Sequence, residues 1–188
     1  MKNLFISLIF INFLSANDIT VQTSSGYVKS TNHKGILLWE DIPYAQPPIK
    51  NLRWKAPREI NSSNLKIEPQ VNNFCVQKTS SLGGSSQFSD EGISGTEDCL
   101  YLDIFAPKNN INDPLPVMFW IHGGGNTSGL KDLYEFNTMV KEHEVIIVRI
   151  NYRLGPFGWF THPAIQDLQD DIDKTSNFGT LDIISALG

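Results

Sequence analysis

The sequence predicts an α/β protein, and three features predict it. Two unbroken apolar runs have strand length, LPVMFWIHGG and EVIIVRINYRLG, at residues 115–124 and 144–155. Continuous rather than alternating hydrophobicity marks a strand buried on both faces. Between them lie a glycine-rich turn and LKDLYEFNTMVKEH, a weakly amphipathic helix candidate. Strand, glycine turn, helix and strand in that order build a sheet of mixed, mainly parallel order.

The other elements follow in chain order. TVQTSSGYVKS and GILLWEDIPYA read as short strands, with Gly26 and the stretch Asn32–Gly35 as turns. The next stretch carries Pro43, Pro47, Pro48 and Pro57. That proline density excludes helix and central strand, leaving an extended, packed connection. Residues 78–96 are rich in serine and glycine and read as a flexible loop. In CLYLDIFAP, Leu100, Leu102 and Ile104 alternate with Tyr101 and Asp103, a strand pattern closed by Pro107. FGTLDIISALG begins a helix. Two turns of helix leave an apolar face that needs a partner, so the chain reads as the N-terminal part of a larger domain.

With 188 residues, of which 40% are hydrophobic, the chain can bury a core. A net charge of -5 without a basic stripe argues against nucleic acid as a partner. Residues 1–16 place Lys2 before a short apolar run, Leu4 to Leu14, and then Ser15–Ala16. That is the layout of a secretory signal peptide, too short for a comfortable membrane span; a buried N-terminal strand is the alternative. Leu14 is larger than the ideal residue before the cut. No later segment is apolar enough to span a bilayer, so the expected location is secreted or luminal.

In an oxidising compartment Cys75 and Cys99 are expected to pair, with two unrelated buried thiols as the alternative. Closing a loop of about 25 residues contributes roughly 3 kcal/mol in the chain-entropy model. Asn61-Ser62-Ser63 is a glycan acceptor in a polar stretch. Asn126-Thr127-Ser128 also fits the sequon, but lies beside the glycines and is expected to stay bare.

Gly123, Gly124 and Gly125 follow His122 at the end of an apolar run. Without a Cβ, the backbone N–H groups of glycine are open to close approach. Two adjacent N–H groups aimed into one space hold an anion, and in acyl transfer that is an oxyanion hole. His-Gly-Gly-Gly after a buried strand is the form this takes in lipases and esterases. Three other readings compete. A dinucleotide turn would want G-x-G-x-x-G, which the spacing of Gly123, Gly125 and Gly129 misses, and an acidic residue where Arg149 and Arg153 stand, although an arginine suits a 2′-phosphate. A metal site would want ligand spacing that His33, His122, His143 and His162 do not show. The last reading is a turn with no chemistry.

The glycines do not stand alone. GILLWEDIPYAQPPIKNLRWKAP, EDCLYLDIFAP, PVMFWIHGGG, VIIVRINYRLGPFGWF and NFGTLDIISAL occur in the order and spacing of the type-B carboxylesterase and cholinesterase family. The chain resembles that family from about Val21 to Leu187. The resemblance implies an α/β-hydrolase fold, here incomplete: a small antiparallel N-terminal sheet plus the first strands of the central mixed sheet, over residues 17–188. It pairs Cys75 with Cys99 and sets Arg53 against Glu97 as a buried ion pair. It assigns the oxyanion donors to Gly124 and Gly125, leaves Gly123 to the turn, and gives His122 a packed, orienting role. Arg153 and Asp182 match structural charges. The implied reaction is hydrolysis of a small carboxylic ester by a serine nucleophile, with no metal or organic cofactor. Oligomeric state is left open.

Two departures stand out. Asn126 replaces an aromatic residue, which is expected to reshape the acyl pocket or loosen the loop, and Ile183 replaces a glutamine after Asp182, which is expected to lose a polar contact. A larger one is that no G-x-S-x-G occurs among the 188 residues, so the nucleophile, acid and base are not here. The chain alone is therefore expected to be inactive and poorly folded. A non-catalytic, cholinesterase-like adhesion protein is the alternative reading.

Overall fold

The structure, a computed structural model, describes residues 18–61, 64–81, 92–109 and 114–188. The signal-peptide segment, most of the serine-glycine loop and two sequon residues after Asn61 lie outside them. The centre is a five-stranded sheet. Its strands are β3 (Thr31–His33), β4 (Ile36–Pro43), β8 (Tyr101–Ala106), β9 (Val117–Ile121) and β10 (Ile146–Ile150), in the spatial order β3-β4-β8-β10-β9. A small sheet joins β1 (Thr20–Thr23), β2 (Gly26–Lys29) and β5 (Lys66–Ile67). A two-stranded ribbon joins β6 (Gln77–Lys78) and β7 (Ile93–Ser94).

The sheet order corrects one expectation. Among the described residues the central sheet is mixed but mainly antiparallel, and only β9 and β10 run parallel. Parallel neighbours need a crossover, and the one crossover helix here is α1 (Asn137–His143), between β9 and β10. The small sheet is also mixed, since β2 pairs antiparallel with β1 but parallel with β5. Strand β9 is the edge strand, not doubly buried: Val117 is 61% exposed and Met118 and Ile121 are each 44% exposed.

Alternation along the inner strands divides the core between two faces. Ile36, Leu38, Phe105 and Ile147 meet Val140 of α1 on one face. Leu37, Trp39, Ile42, Leu102, Ala106 and Ile150 meet Val28 of the small sheet on the other. Pro43 is the last residue of β4, consistent with its missing N–H, and a 3₁₀ turn at Lys50–Leu52 interrupts the extended connection. The helix candidate over 130–143 forms only in its second half. Its first part is a 3₁₀ turn, Lys131–Leu133, because Lys131 is drawn inward to buried carboxylates. The remaining helices are α2 (Gly155–Gly158), α3 (Pro163–Gln166) and α4 (Phe178–Ser185). Among the described residues no helix is long and apolar enough to cross a membrane.

Candidate active site: the glycine loop

Strand β9 delivers the chain directly into His122 and the glycines. The turn is made by Gly124 and Gly125, with φ of +115° and +60°. Gly123 needs neither a positive φ nor extra space, so the turn does not require glycine there. Gly124 does: a Cβ on it would stand 1.9 Å from the Ser128 carbonyl oxygen. That crowding reflects a tight turn in which Thr127 and Ser128 donate their N–H groups to the Gly124 carbonyl at 3.1 and 3.2 Å.

These bonds decide where the neighbouring N–H groups point. A trans peptide holds its C=O and N–H in opposite directions. The Gly124 carbonyl faces Thr127 and Ser128, so the Gly125 N–H faces away from them. The Gly123 carbonyl faces the His122 imidazole, with Nδ1 at 2.9 Å, so the Gly124 N–H faces away from the ring. Among the described residues neither N–H meets an acceptor. Two free donors one residue apart on fixed peptide planes are the elements of an anion site.

His122 holds the first plane. Its ring is buried and stacked on Tyr152, with centroids 4.4 Å apart and planes within 16°. The Tyr152 hydroxyl donates to the His122 carbonyl at 2.8 Å. Burial pushes the imidazole below its ordinary pKa of 6.5, against a smaller opposing effect of the Gly123 carbonyl. The ring is therefore neutral near pH 7, and the carbonyl at Nδ1 fixes the proton there. It is packed but not fully satisfied, since Nε2 is buried without a partner among the described residues.

The far end of the loop is tied to three elements. Gly155 donates its N–H to the Asn126 carbonyl at 2.7 Å. Asn126 sits at φ +60°, a backbone that asparagine tolerates better than an aromatic residue, so the loop is tethered there rather than loosened. The side chain of Gln77 exchanges two hydrogen bonds with the Gly129 backbone, both 2.8 Å. Lys131 donates its N–H to Asn151 Oδ1 at 2.7 Å, and its ammonium is buried 2.9 Å from both Asp41 and Asp103. Arg149 completes that cluster through Asp103 at 2.7 Å and Asp132.

The other sequence candidates fall into place around this loop. Cys75 and Cys99 form a buried disulfide with Cα atoms 5.0 Å apart. Arg53 and Glu97 meet in a two-point pair, but their side chains are 40% and 21% exposed, so the pair is not buried as expected. Their segments run along the surface beside the disulfide and leave the guanidinium open to water. Arg153 and Asp182 form a buried two-point pair at 2.7 and 2.8 Å. With Arg149 and Arg153 both committed to buried carboxylates, neither is available to a 2′-phosphate. Ile183 packs against the core where a polar contact was expected to be lost. Asn61 is exposed. Among the described residues no group of three or more His, Cys, Asp or Glu is placed to hold a metal ion.

Sequence reading missed Gln77, Tyr152 and Lys131. Asp103 offered a clue: a carboxylate on a strand with apolar neighbours on both faces needs a buried cation. A cavity of about 530 Å³ opens beside the loop, lined by Val76, Lys78, Ile93, Thr127, Ser128 and Phe157 among others. Neither Gly124 nor Gly125 is among the residues that line it.

A model of the carboxylesterase family matches residues 17–188. The chain is 37% identical over 170 residues to a para-nitrobenzyl esterase of Bacillus subtilis (strain 168), covering 89% of this chain and 33% of that protein. It is 38% identical over 160 residues to a carboxylic ester hydrolase of Bombus ignitus, covering 81% of this chain and 28% of that one. Among solved structures a thermophilic para-nitrobenzyl esterase superposes with a TM-score of 0.74 at 36% identity, over 89% of this chain and 34% of that one. These solved neighbours have the α/β-hydrolase fold, and this chain carries its N-terminal portion. The chain spans about a third of the length of the relatives it matches.

Proposed function

The chain belongs to the carboxylesterase family, and from that premise we propose that its parent protein hydrolyses carboxylic esters, with Gly124 and Gly125 as the oxyanion hole. The observation that carries this reading is the pair of unengaged N–H groups on peptide planes pinned from behind by His122 and by the Thr127–Ser128 turn. As a serine oxygen adds to the ester carbonyl, negative charge grows on the carbonyl oxygen, and two fixed donors stabilise it without reorganising. Removing one such donor typically costs about 3 kcal/mol of barrier. The serine and its base belong to the part of the parent protein outside these residues. Residues 17–188 then supply the N-terminal portion of the catalytic domain, and no metal or organic cofactor enters the scheme.

Secretion belongs to the same reading. It is supported by the charge, apolar run and small residues of 1–16, and by a disulfide of the kind that persists in oxidising compartments. Asn61, exposed at the surface, is the proposed glycan acceptor.

The test uses the full-length gene product, a p-nitrophenyl ester and a fluorophosphonate label. Turnover together with covalent labelling of one serine is the expected result. A folded full-length protein that neither turns over nor labels would sink the proposal, and would fit a non-catalytic adhesion relative instead.

A further inference from the structure

We infer that Gln77 is a positioning residue for the oxyanion hole, and that it transmits the constraint of the Cys75–Cys99 disulfide to the Gly124 N–H. The inference rests on the functional reading above. Gln77 is 4% exposed, and both donors and the oxygen of its side-chain amide are engaged. Nε2 donates to the Gly129 carbonyl at 2.8 Å and to the Cys75 carbonyl at 3.1 Å, while Oε1 accepts the Gly129 N–H at 2.8 Å. The reciprocal pair fixes the amide orientation, because a flip would set oxygen against oxygen and N–H against N–H.

Gly129 in turn has no slack. At φ +123° a Cβ on it would lie 2.3 Å from His122 Nδ1 and 2.4 Å from the Gly123 carbonyl oxygen. The Gly129 backbone is therefore pressed against the hydrogen bond that orients the Gly123–Gly124 peptide. At its other end Gln77 follows Cys75 by two residues. Cys75 is held by the disulfide and by the Thr96 N–H bond to the Phe74 carbonyl at 2.9 Å. Disulfide, Gln77, Gly129, His122 and the Gly124 N–H thus form one contiguous path with no exposed side chain in it.

A misplacement of about 1 Å in such a site costs on the order of a hundredfold in rate. Loss of the clamp is therefore expected to lower kcat while leaving KM nearly unchanged, since the oxyanion donors act on the transition state. In the full-length protein, Gln77→Met keeps length and volume and removes every hydrogen bond. It is expected to lower kcat about ten- to a hundredfold and to weaken a trifluoromethyl ketone, which forms a tetrahedral adduct, by the same factor. Gln77→Asn keeps the amide but, one methylene shorter, draws it back from Gly129, so it is expected to lower kcat less than Gln77→Met does, and it decides the matter if Gln77→Met does not fold. The double variant Cys75→Ser/Cys99→Ser is expected to lose kcat in the same way. Added to Gln77→Met it is expected to cost little more, because elements acting through one path are not additive.

Ester turnover by the unaltered protein is measured first, and its absence overturns the functional reading and this one together. With turnover established, a Gln77 variant that folds and keeps kcat within about twofold overturns this inference alone. So does full additivity with the cysteine variant.

Discussion

At the scale of single residues, the two glycines proposed as oxyanion donors do different physical work. Gly124 is glycine for lack of space as well as for its φ of +115°. Gly125 has a φ of +60° but nothing within 4 Å of where its Cβ would stand. Gly125→Ala is therefore expected to lose only the left-handed penalty, about 1 to 2 kcal/mol of stability. Gly124→Ala forces the turn itself to move and takes the N–H of that residue with it. If the full-length gene product is the proposed esterase, its kcat is expected to fall about a hundredfold or more, as for the loss of an oxyanion donor, with a larger drop in denaturation midpoint than for Gly125→Ala. Paired urea melts and kinetics check this, and equal midpoints for the two variants would show that the crowding at Ser128 does not matter. The glycines could be found in the sequence because three in a row after an apolar run is rare chemistry for a plain turn. The division of labour among them could not, because φ and the approach of Ser128 depend on residues that the motif does not contain.

Between elements, the sequence showed the strands and hid the connections. Strands β4, β8 and β10 were legible because burial writes hydrophobicity directly into a strand, whereas β9, as apolar in sequence, lies at an exposed edge among the described residues. The helix over 130–143 was only half right, since its periodicity said nothing of the buried cluster that captures Lys131. That ammonium is held by Asp41 from a bulge in β4, by Asp103 from β8 and by Asp132 beside it. Burial alone would lower the Lys131 pKa, yet Asp103, Asp132 and Asp41 together raise it, so the residue stays charged. Lys131→Met leaves Asp103 with Arg149 and takes from Asp41 the cation paired with it among the described residues, in a dry interior. Breaking a buried pair in this way typically costs about 3 to 5 kcal/mol. A further Asp41→Asn change is expected to return part of that loss, because it removes one of the stranded charges. Chemical denaturation of the single and double variants measures both. A Lys131→Met protein as stable as the parent would mean that the cluster contributes nothing to joining β4, β8 and the glycine loop. The ion pair of Arg53 and Glu97 illustrates the same limit on the opposite side: the partners were legible from the family resemblance, whereas their exposure depends on which segments lie over them.

For the molecule as a whole, the balance between core and surface turns on strand β9. Strands β4, β8 and β10 of the central sheet carry buried apolar residues to its covered faces. Strand β9 pairs with β10 on one side only among the described residues, and its Val117, Met118 and Ile121 are exposed together. Ile184 of α4 and Leu187 just beyond it are 59% and 63% exposed. An unpaired apolar edge is a template for another strand, whether from the same chain or from a second copy. Residues 17–188 expressed alone are therefore expected to bind a hydrophobic dye and to self-associate in a concentration-dependent way. Met118→Lys places a charge on that edge and is expected to suppress the association, as edge lysines do. In the full-length gene product the same substitution is expected to act in the opposite direction. A parent protein of the relatives' length would have chain to cover β9, and a lysine in a covered position is destabilising. The comparison of light scattering for the segment with thermal melting for the full-length protein separates the two cases. If Met118→Lys leaves the full-length protein unchanged, β9 is a solvent-facing edge there too, and the open side of this sheet is not where the rest of the domain is built.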